Sequence, residues 1–424
     1  MKDITAVLVH YSNQKGLDRA LQSLRNLEPR LNSVIILQKP GMSLRIIHAY
    51  EGRDQVEFIH TKSNDAGETL NNRINFIKSD YLLFLRDPNY LSPSIEAVSL
   101  NLPPSKKILV TSCNKQTGIQ HPLLVRTSYI QHHKLLSEDE LPFNEALFPA
   151  WLSTVDNAFK SFKDGLIRQV KRNSSANKKN REEMLSKYNL EKVNTNAPAL
   201  SVIMANYNME KYTGTAIESC LLQNEQPEQV LIMDDGSTDG SYRPLLQWHD
   251  GEQVKVFRKQ NEGKARALND LLPHVTSAFI LELDADDWLD PDAISVIKKQ
   301  LVHLPKDISV LYGNLRKWKQ LEGDVLFKGI AKGAGINGKK DVLSYRFPLG
   351  PRIYRTSLLK RQGGFPVTAF EDGRLYEDVS VLNQLIESSR FKYHDFTVYN
   401  VREHKESITK NNLSSWNDFL RTLK

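Results

Sequence analysis

The chain has 424 residues, of which 40% are apolar and 25% charged, with 57 basic side chains, 50 acidic side chains and two cysteines. This composition is that of an ordinary globular protein, and it excludes a fibrous, wholly disordered or disulfide-built chain. At roughly 150 residues per domain, the length predicts two or three domains.

The N-terminus alternates like a β-strand and lacks the basic start and apolar run of a signal peptide. Apolar runs elsewhere stop far short of the ~20 residues that span a bilayer. We therefore expect a soluble, cytoplasmic protein without a transmembrane segment.

Most of the positive charge falls in one segment. Residues 160–192 contain ten basic and four acidic residues, which is +6 of the net charge of +7. We expect a basic, partly helical linker over residues 160–197, between one domain at 1–159 and another at 198–424. Such a segment suits contact with a membrane surface or an anionic polymer. It lacks the interleaved aromatic residues of nucleic-acid binders, so no nucleic-acid partner is predicted.

The sequences on either side of this linker repeat one another in order. The offset is 196 to 198 residues for the first matches and 229 for the last. The matched pairs are Val7–Asn13 with Ile203–Met209, Ala20–Ser23 with Ala216–Ser219, Val34–Leu37 with Val230–Met233, Tyr81–Leu85 with Phe279–Leu283, and Arg126–Ser128 with Arg355–Ser357. Ordered matches at similar offsets indicate a duplicated domain. Each copy opens strand, helix, strand, which predicts an α/β fold with a mostly parallel, Rossmann-like sheet.

Two acidic motifs follow apolar strands of the second copy. Residues 234–241 come after the strand at 229–233, and residues 284–291 come after the strand at 278–283. Parallel sheets bind ligands at the carboxyl ends of their strands, and clustered carboxylates repel one another unless a cation lies among them. Oxygen ligands of this kind suit Mg²⁺ or Mn²⁺. An EF-hand is excluded because Leu289 and Ser295 replace its glycine and its last glutamate.

A glycine-rich stretch at 333–340 resembles a phosphate-binding P-loop, but Lys340 stands where that motif needs serine or threonine. We expect a loop near a substrate there instead of a nucleoside-triphosphate site.

Residues 200–410 resemble family 2 glycosyltransferases with the GT-A fold. The motifs that carry the resemblance are Ser201–Asn208, Asp234–Asp239, Asn261–Arg266, Asp284–Asp287, Tyr376–Asp378, and Arg402–His404 with Ser407–Thr409. The family implies inverting transfer of a sugar from a nucleoside-diphosphate sugar, with a UDP-sugar favoured, to a hydroxyl acceptor. The acceptor would be a saccharide or a protein-linked glycan in surface or spore polysaccharide synthesis. An eroded copy before an intact one is similar to spore-maturation glycosyltransferases.

The resemblance also assigns roles to particular residues. Mn²⁺ or Mg²⁺ would be held by Asp286, with Asp284 and His404 beside it. The expected donor-binding residues are Ala205, Tyr207, Asp235, Lys264, Arg266, Asp284 and Arg402, of which Asp235 would accept a nucleobase N–H. Asp378 would be the general base, and Glu377 would orient the acceptor. For Arg352, contact with a substrate and a structural role both stay open.

The first copy lacks these groups. Gln38-Lys39-Pro40 replaces the first acidic motif, Arg86-Asp87-Pro88 replaces the second, and Pro149-Ala150 replaces Glu377-Asp378. Basic residues oppose the ligands that the original carboxylates would bind. We expect a GT-A-like domain without transferase activity that binds acceptor, recruits a partner or mediates dimerisation.

Two other functions remain open from the residues. One is a scaffold or acceptor-binding protein built from two inactive copies. The other is a nucleotidyltransferase, which shares this type of sheet and metal chemistry.

Overall fold

The computed structural model describes residues 2–45, 56–61, 65–112, 118–170, 175–344, 349–405 and 415–422. The chain divides into two compact units, Met1–Asn189 and Leu190–Lys424. Cys113 and the motif residues at 407–409 lie outside the described residues. Within the ranges given above, no helix is long and apolar enough to cross a membrane.

The first unit is built from strands and helices in alternation, as the sequence predicts. The strands are β1 Ile4–Val9, β2 Leu31–Gln38, β3 Val56–His60, β4 Tyr81–Arg86, β5 Asn89–Leu91, β6 Ile108–Ser112, β7 Gln120–Arg126, β8 Lys160–Phe162 and β9 Ile167–Gln169. The helices are α1 Gln14–Ser23, α2 Ala66–Ile74, α3 Thr127–His132, α4 Leu147–Thr154 and α5 Ala176–Lys187. Side-chain caps begin three of these helices, since Asn13 accepts from Gly16 N, Asp65 from Glu68 N and Ser175 from Lys178 N.

The second unit repeats this alternation and adds a long antiparallel hairpin. Its strands are β10 Leu200–Asn206, β11 Val230–Asp235, β12 Val254–Lys259, β13 Phe279–Glu282, β14 Trp288–Leu289, β15 Ile308–Leu321, β16 Asp324–Ala331, β17 Ile353–Arg355 and β18 Arg390–Glu403. Its helices are α6 Glu210–Leu221, α7 Tyr242–Leu246, α8 Lys264–Leu271, α9 Ala293–Leu301, α10 Lys339–Ser344, α11 Thr356–Arg361, α12 Glu377–Leu385 and α13 Trp416–Thr422. Two apolar clusters cover the two faces of its sheet, which accounts for the apolar runs at 202–205 in β10 and 230–233 in β11.

The main sheets of the two units share one topology. The first has the order β3-β2-β1-β4-β7-β6-β8, and the second β12-β11-β10-β13-β17-β15-β18, with β14 beyond it. Corresponding pairs run in the same sense, with parallel pairing up to β4 and β13 and antiparallel pairing at the next two positions. The last pair, β6 with β8 or β15 with β18, is parallel again. The predicted α/β class with largely parallel sheets is confirmed.

A pair of arginines repeats the same contacts in both units. Arg126 donates from its guanidinium to the carbonyl oxygens of Leu102, Pro103 and Lys106. Arg355 donates in the same way to the carbonyl oxygens of Leu304, Pro305 and Ile308. Shared topology and shared contacts support the duplication that the sequence predicts.

The structure differs from the predicted linker at 160–197. Residues 160–162 form β8 in the first unit's main sheet, and 167–169 form β9, paired with β5. Arg181 of α5 is buried and pairs with Glu145, while Thr195 donates to Glu225 in the second unit. The unit boundary therefore falls at 189/190 instead of 159/160. Charge density indicated solvent exposure, but short strands and a helix with one buried side also carry exposed lysines.

Candidate active site

The predicted site residues that end or follow β10, β11 and β13 lie at the carboxyl edge of the second unit's sheet. Strands β10 and β11 run parallel, and so do β10 and β13. The chain passes from β10 to β11 and β12, and then returns to β13 on the other side of β10. This reversal of strand order is a switch point, where open α/β sheets bind ligands.

The first acidic motif closes β11 and fixes the start of α8. The carboxylate of Asp235 accepts from the backbone N–H groups of Glu262 and Gly263, at 2.9 and 2.8 Å. Gly236 has φ +72°, and a Cβ there would lie 2.7 Å from Asn261 N, so this turn requires glycine. Of the other predicted nucleobase residues, Ala205 ends the same edge of β10 half-buried and Tyr207 is exposed beyond it. Asp235 thus has a definite structural task beside its predicted role.

Lys264 joins the second acidic motif to the predicted base segment. Its Nζ lies 2.6 Å from Asp284 Oδ1 and 3.0 Å from both Glu282 Oε1 and Glu377 Oε1. Burial lowers the pKa of Lys264, but the three carboxylates outweigh it and hold the pKa well above its ordinary value. The side chain is a permanent cation at the centre of the site.

Arg352 is the second cation of this centre. It makes a bidentate pair with Glu282, at 2.9 and 3.0 Å, and its Nη1 lies 3.6 Å from Asp378 Oδ2. Burial raises the pKa of Glu282, but Arg352 and Lys264 reverse this and hold it below its ordinary value. The sequence left open whether Arg352 contacts a substrate or has a structural role. In the structure, Arg352 contacts carboxylates of the candidate site.

Glu377 and Asp378 occupy the first turn of α12. The positive end of the helix dipole stabilises carboxylates at this position. Tyr376, just before them, has φ +60°, a left-handed conformation that bulky residues rarely adopt, and it packs against Phe419 of α13. Burial raises the pKa of Glu377, with the ammonium of Lys264 opposing the rise.

Asp286 and His404 lie together on the other side of the site. His404 Nε2 is 2.9 Å from Asp286 Oδ2, and its ring packs 4.7 Å from that of Tyr212. Arg402 donates from its backbone N–H to Asp287 Oδ1 and from Nε to the carbonyl oxygen of Asp286. The end of β18 and the loop after β13 are thereby fastened to each other.

The guanidinium of Arg402 lies between two aromatic rings, 4.8 Å from the centres of both Tyr212 and Trp288. Burial lowers the pKa of Arg402, although a guanidinium remains charged at any ordinary pH. Its Nη2 is buried without a hydrogen-bond partner. An anionic group beside Asp286 would find a donor there.

The residues present fit a divalent cation that shares its coordination with a substrate. Among the described residues no cluster of three or more His, Cys, Asp or Glu side chains could hold an ion by itself. Of the predicted ligands, Asp286 and His404 lie together, whereas Asp284 is bonded to Lys264 instead. Mg²⁺ characteristically binds through one or two carboxylates together with substrate phosphates, and Asp286 is one such carboxylate.

Two other predicted elements have contacts of their own. Arg266 pairs with Asp372 at 2.9 Å on the exposed surface and so joins α8 to the loop before α12. In the glycine-rich stretch, Gly333 N donates to Asn314 Oδ1, and a Cβ on Gly333 would lie 2.6 Å from the carbonyl oxygen of Gly313. Close backbone packing is the reason for glycine at that point.

Sequence reasoning missed the carboxylate at the centre of the cation network. Glu282 lies inside the apolar run at 279–283, and its side chain is 1% exposed. Tyr354 donates to it at 3.0 Å. The available signal was the charge itself, because a lone glutamate in a buried strand needs partners.

Comparison with known proteins agrees with this geometry. Residues 201–323 match the sequence profile described as Glycosyl transferase family 2. The matched segment lies within the second unit.

Curated relatives carry similar domains within longer proteins. Glycosyltransferase GlyA of Streptococcus pneumoniae is 26% identical over 129 residues, 30% of this chain and 18% of the relative. The putative glycosyltransferase EpsE of Bacillus subtilis is 36% identical over 112 residues, 26% of this chain and 39% of the relative. Chondroitin synthase of Escherichia coli is 35% identical over 115 residues, 27% of this chain and 16% of the relative. The match spans less than two thirds of each.

Solved structures with a partial likeness include Staphylococcus aureus TarS 1–349 in complex with UDP, which is 22% identical with a TM-score of 0.38. That match covers 48% of this chain and 60% of TarS 1–349. The mannosyltransferase PcManGT of Pyrobaculum calidifontis with GDP-Man and Mn²⁺ is 17% identical with a TM-score of 0.36, over 51% of this chain and 61% of that one.

Proposed function

We propose that the second unit is a metal-dependent, inverting glycosyltransferase. It takes a nucleoside-diphosphate sugar, preferentially a UDP-sugar, as donor and a hydroxyl group of a saccharide or protein-linked glycan as acceptor. The observation that carries this proposal is the bridge made by Lys264, which brings Asp284 and Glu377 to one ammonium group. The family profile and relatives such as chondroitin synthase support a role in polysaccharide or glycoconjugate synthesis.

The donor side is formed by Asp286, His404 and Arg402. Mn²⁺ or Mg²⁺ bound by Asp286 and His404 would neutralise charge on the diphosphate as the bond to the sugar breaks. The guanidinium of Arg402, whose buried Nη2 has no hydrogen-bond partner, would place a positive charge beside the diphosphate. Asp235, Ala205 and Tyr207 are proposed to receive the nucleobase at the ends of β10 and β11.

The acceptor side is formed by Asp378 and Glu377. Asp378 accepts the proton of the acceptor hydroxyl as its oxygen attacks the anomeric carbon. The bond from that carbon to the diphosphate oxygen breaks, its electron pair stays on the diphosphate, and the anomeric configuration inverts. Glu377 orients the acceptor while Lys264 holds its carboxylate in place.

The first unit is proposed to be an inactive copy of the same fold. Its equivalent edge holds Arg86 paired with Glu138 at 2.8 Å, with His10 buried beside them. A fragment of residues 190–424 that melts cooperatively should keep donor hydrolysis, whereas loss of hydrolysis in such a fragment contradicts this division of labour. The cut belongs at 190, because removing residues 1–160 would leave β9 and α5 without their partners.

A donor screen tests the proposed function. The full chain is incubated with UDP-, GDP- and TDP-sugars in the presence of Mn²⁺, Mg²⁺ or EDTA, and released nucleotides are separated by chromatography. The proposal predicts metal-dependent release of a nucleoside diphosphate. A parallel incubation with nucleoside triphosphates and sugar 1-phosphates tests the alternative, because release of pyrophosphate there would indicate a nucleotidyltransferase. Absence of release in every mixture would favour a scaffold.

A further inference from the structure

Glu282 is a buried carboxylate on which both cations of the site converge. It ends β13, which lies between β10 and β17 in the sheet. Arg352 donates two hydrogen bonds to it, Tyr354 donates a third at 3.0 Å, and Lys264 Nζ lies 3.0 Å away. Taking a carboxylate out of water costs several kcal/mol unless such partners compensate it.

The fold itself does not need a carboxylate at this position. In β10–β13 pairing Glu282 lies opposite Ile203, and in β1–β4 pairing Phe84 lies opposite Val7. Ile203 and Val7 correspond to each other in the repeat, so Phe84 is the counterpart of Glu282. Phe84 is fully buried and packs 5.3 Å from the ring of Phe148. The same strand thus accepts an apolar side chain where the proposed catalytic chemistry is missing.

Both cations held by Glu282 also lie within reach of the proposed reacting groups. Arg352 Nη1 is 3.6 Å from Asp378 Oδ2, whereas its Nε and Nη2 bond to Glu282 at 2.9 and 3.0 Å. Without Glu282, the guanidinium loses its bidentate partner. It already approaches two other carboxylates, Asp378 and, at 3.8 Å from Nη2, Asp284. A full ion pair at Asp378 would make that carboxylate a weaker proton acceptor.

We infer that Glu282 is a positioning residue that retains Arg352 and Lys264 at the base of the site and so limits how closely Arg352 pairs with Asp378, the proposed general base. The inference rests on the proposed function. Glu282 itself contacts no substrate in this account. Its effect on the rate depends on competition between Glu282 and Asp378 for Arg352.

The test compares Glu282→Gln with the double variant Glu282→Gln/Arg352→Gln in the full chain. Each is assayed for transfer to acceptor with the donor identified by the screen, for UDP affinity by calorimetry, and for thermal unfolding. Loss of a general base typically costs ~10²–10⁴-fold in rate, so we expect kcat of Glu282→Gln to fall at least ~100-fold. UDP affinity should change less than about threefold, because Glu282 lies away from Asp286 and Arg402 in the contact network.

The double variant separates positioning from a merely structural role. If Glu282 acts by restraining Arg352, the double variant should have a kcat at least about tenfold higher than that of Glu282→Gln. A double variant less active than Glu282→Gln overturns the inference, as does full activity of Glu282→Gln. Glu282→Phe, which copies Phe84, should fold and bind UDP, and its kcat should be as low as that of Glu282→Gln. If neither Glu282→Gln nor Glu282→Phe folds, Glu282 has a structural role and the inference is overturned.

Glu225→Gln is the matched control. Glu225 is also buried and paired with a lysine, Lys298, but it contacts none of the site residues. Its kcat should equal that of the unaltered protein. The assay of the unaltered protein separates the two proposals. If the unaltered protein releases nucleotide from no donor, the proposed function is overturned. If the unaltered protein and Glu282→Gln are equally active, only the inference about Glu282 is overturned.

Discussion

The ammonium of Lys264 lies 2.6 Å from the carboxylate of Asp284. Lys264 is the first residue of α8, and Asp284 follows β13, so this pair links the helix to the centre of the sheet edge. The same ammonium reaches Glu377 at the start of α12. The ammonium of Lys264 thereby links three motifs, of which the first, at Lys264, and the last, at Glu377, are 113 residues apart in the sequence.

Lys264→Met should lower both stability and turnover. It leaves Glu282, Asp284 and Glu377 with less positive charge among them, and like charges in a partly buried site repel. We expect a lower melting temperature and a kcat reduced at least ~100-fold, similar to the loss of one preorganised donor in other enzymes. Lys259→Met is the control, since Lys259 pairs with Glu262 and Asp270 on the surface. Equal kcat values for the two variants would contradict the role of Lys264.

Asp378→Asn should remove turnover while nucleotide binding persists. An amide cannot accept the acceptor proton, so kcat should fall by ~10²–10⁴-fold, with UDP affinity within about threefold of the original. Asp307→Asn, which removes an exposed pair with Arg390, should leave both quantities unchanged. Undiminished transfer by Asp378→Asn would show that another group accepts the proton.

His404→Gln should weaken metal binding in the presence of UDP. Second-shell changes at metal sites already cost ~10–100-fold in affinity, so loss of a direct ligand should raise the Mn²⁺ concentration for half-saturation at least ~10-fold. Electron paramagnetic resonance of free Mn²⁺ measures this without an activity assay. His394→Gln is the control because His394 contacts Gln300, away from Asp286. An unchanged Mn²⁺ titration of His404→Gln would exclude His404 as a ligand.

The first unit should lose stability in mild acid because of its buried histidines. Burial, with the charges of Arg86 and Lys39, lowers the pKa of His10 to about 3, and burial lowers that of His121 to about 4. The unfolded chain, with an ordinary pKa near 6.5, binds these protons first. Stability from neutral histidine is therefore complete above pH ~6.5 and is lost as the pH falls towards these folded values.

His10→Asn tests this pH dependence, since Asn206 occupies the equivalent position in the second unit. At pH 5 each buried histidine contributes about 2 kcal/mol to the fall relative to pH 7.5, from 1.5 pKa units at ~1.4 kcal/mol each. Denaturant unfolding at the two pH values should show a smaller fall for His10→Asn. An identical fall in the variant would mean that His10 is protonated in the folded protein.

The sequence was sufficient to predict the class of fold and the sheet edge at which the candidate site residues lie. Asp235, Asp284 and Asp286 come directly after apolar strands, and strand ends of a parallel sheet meet at one edge. The partners of each charge were not predictable, because they depend on three-dimensional distances. Arg266 pairs with Asp372, over 100 residues away in the chain, and Lys264 pairs with three carboxylates.

The basic segment was misassigned for a different reason. A high density of charged side chains indicates that much of a segment is exposed to water, but it does not indicate whether the backbone pairs in a sheet. β8 and β9 have three residues each, too few for a clear alternating pattern. Their counterpart in the second unit is the single long strand β18, which pairs with β15 and with β14. β8 and β9 pair with β6 and β5 as β18 pairs with β15 and β14, so their positions agree with the repeat.

The most direct measurement of the central claim is a proton NMR time course of the full chain with donor, acceptor and Mn²⁺. The anomeric coupling constant reports the configuration of the donor and of the first product formed. The account predicts release of a nucleoside diphosphate together with a glycoside of inverted configuration, and neither product in Asp378→Asn. A product of retained configuration, or release of a nucleoside monophosphate together with a sugar 1-phosphate, would contradict it.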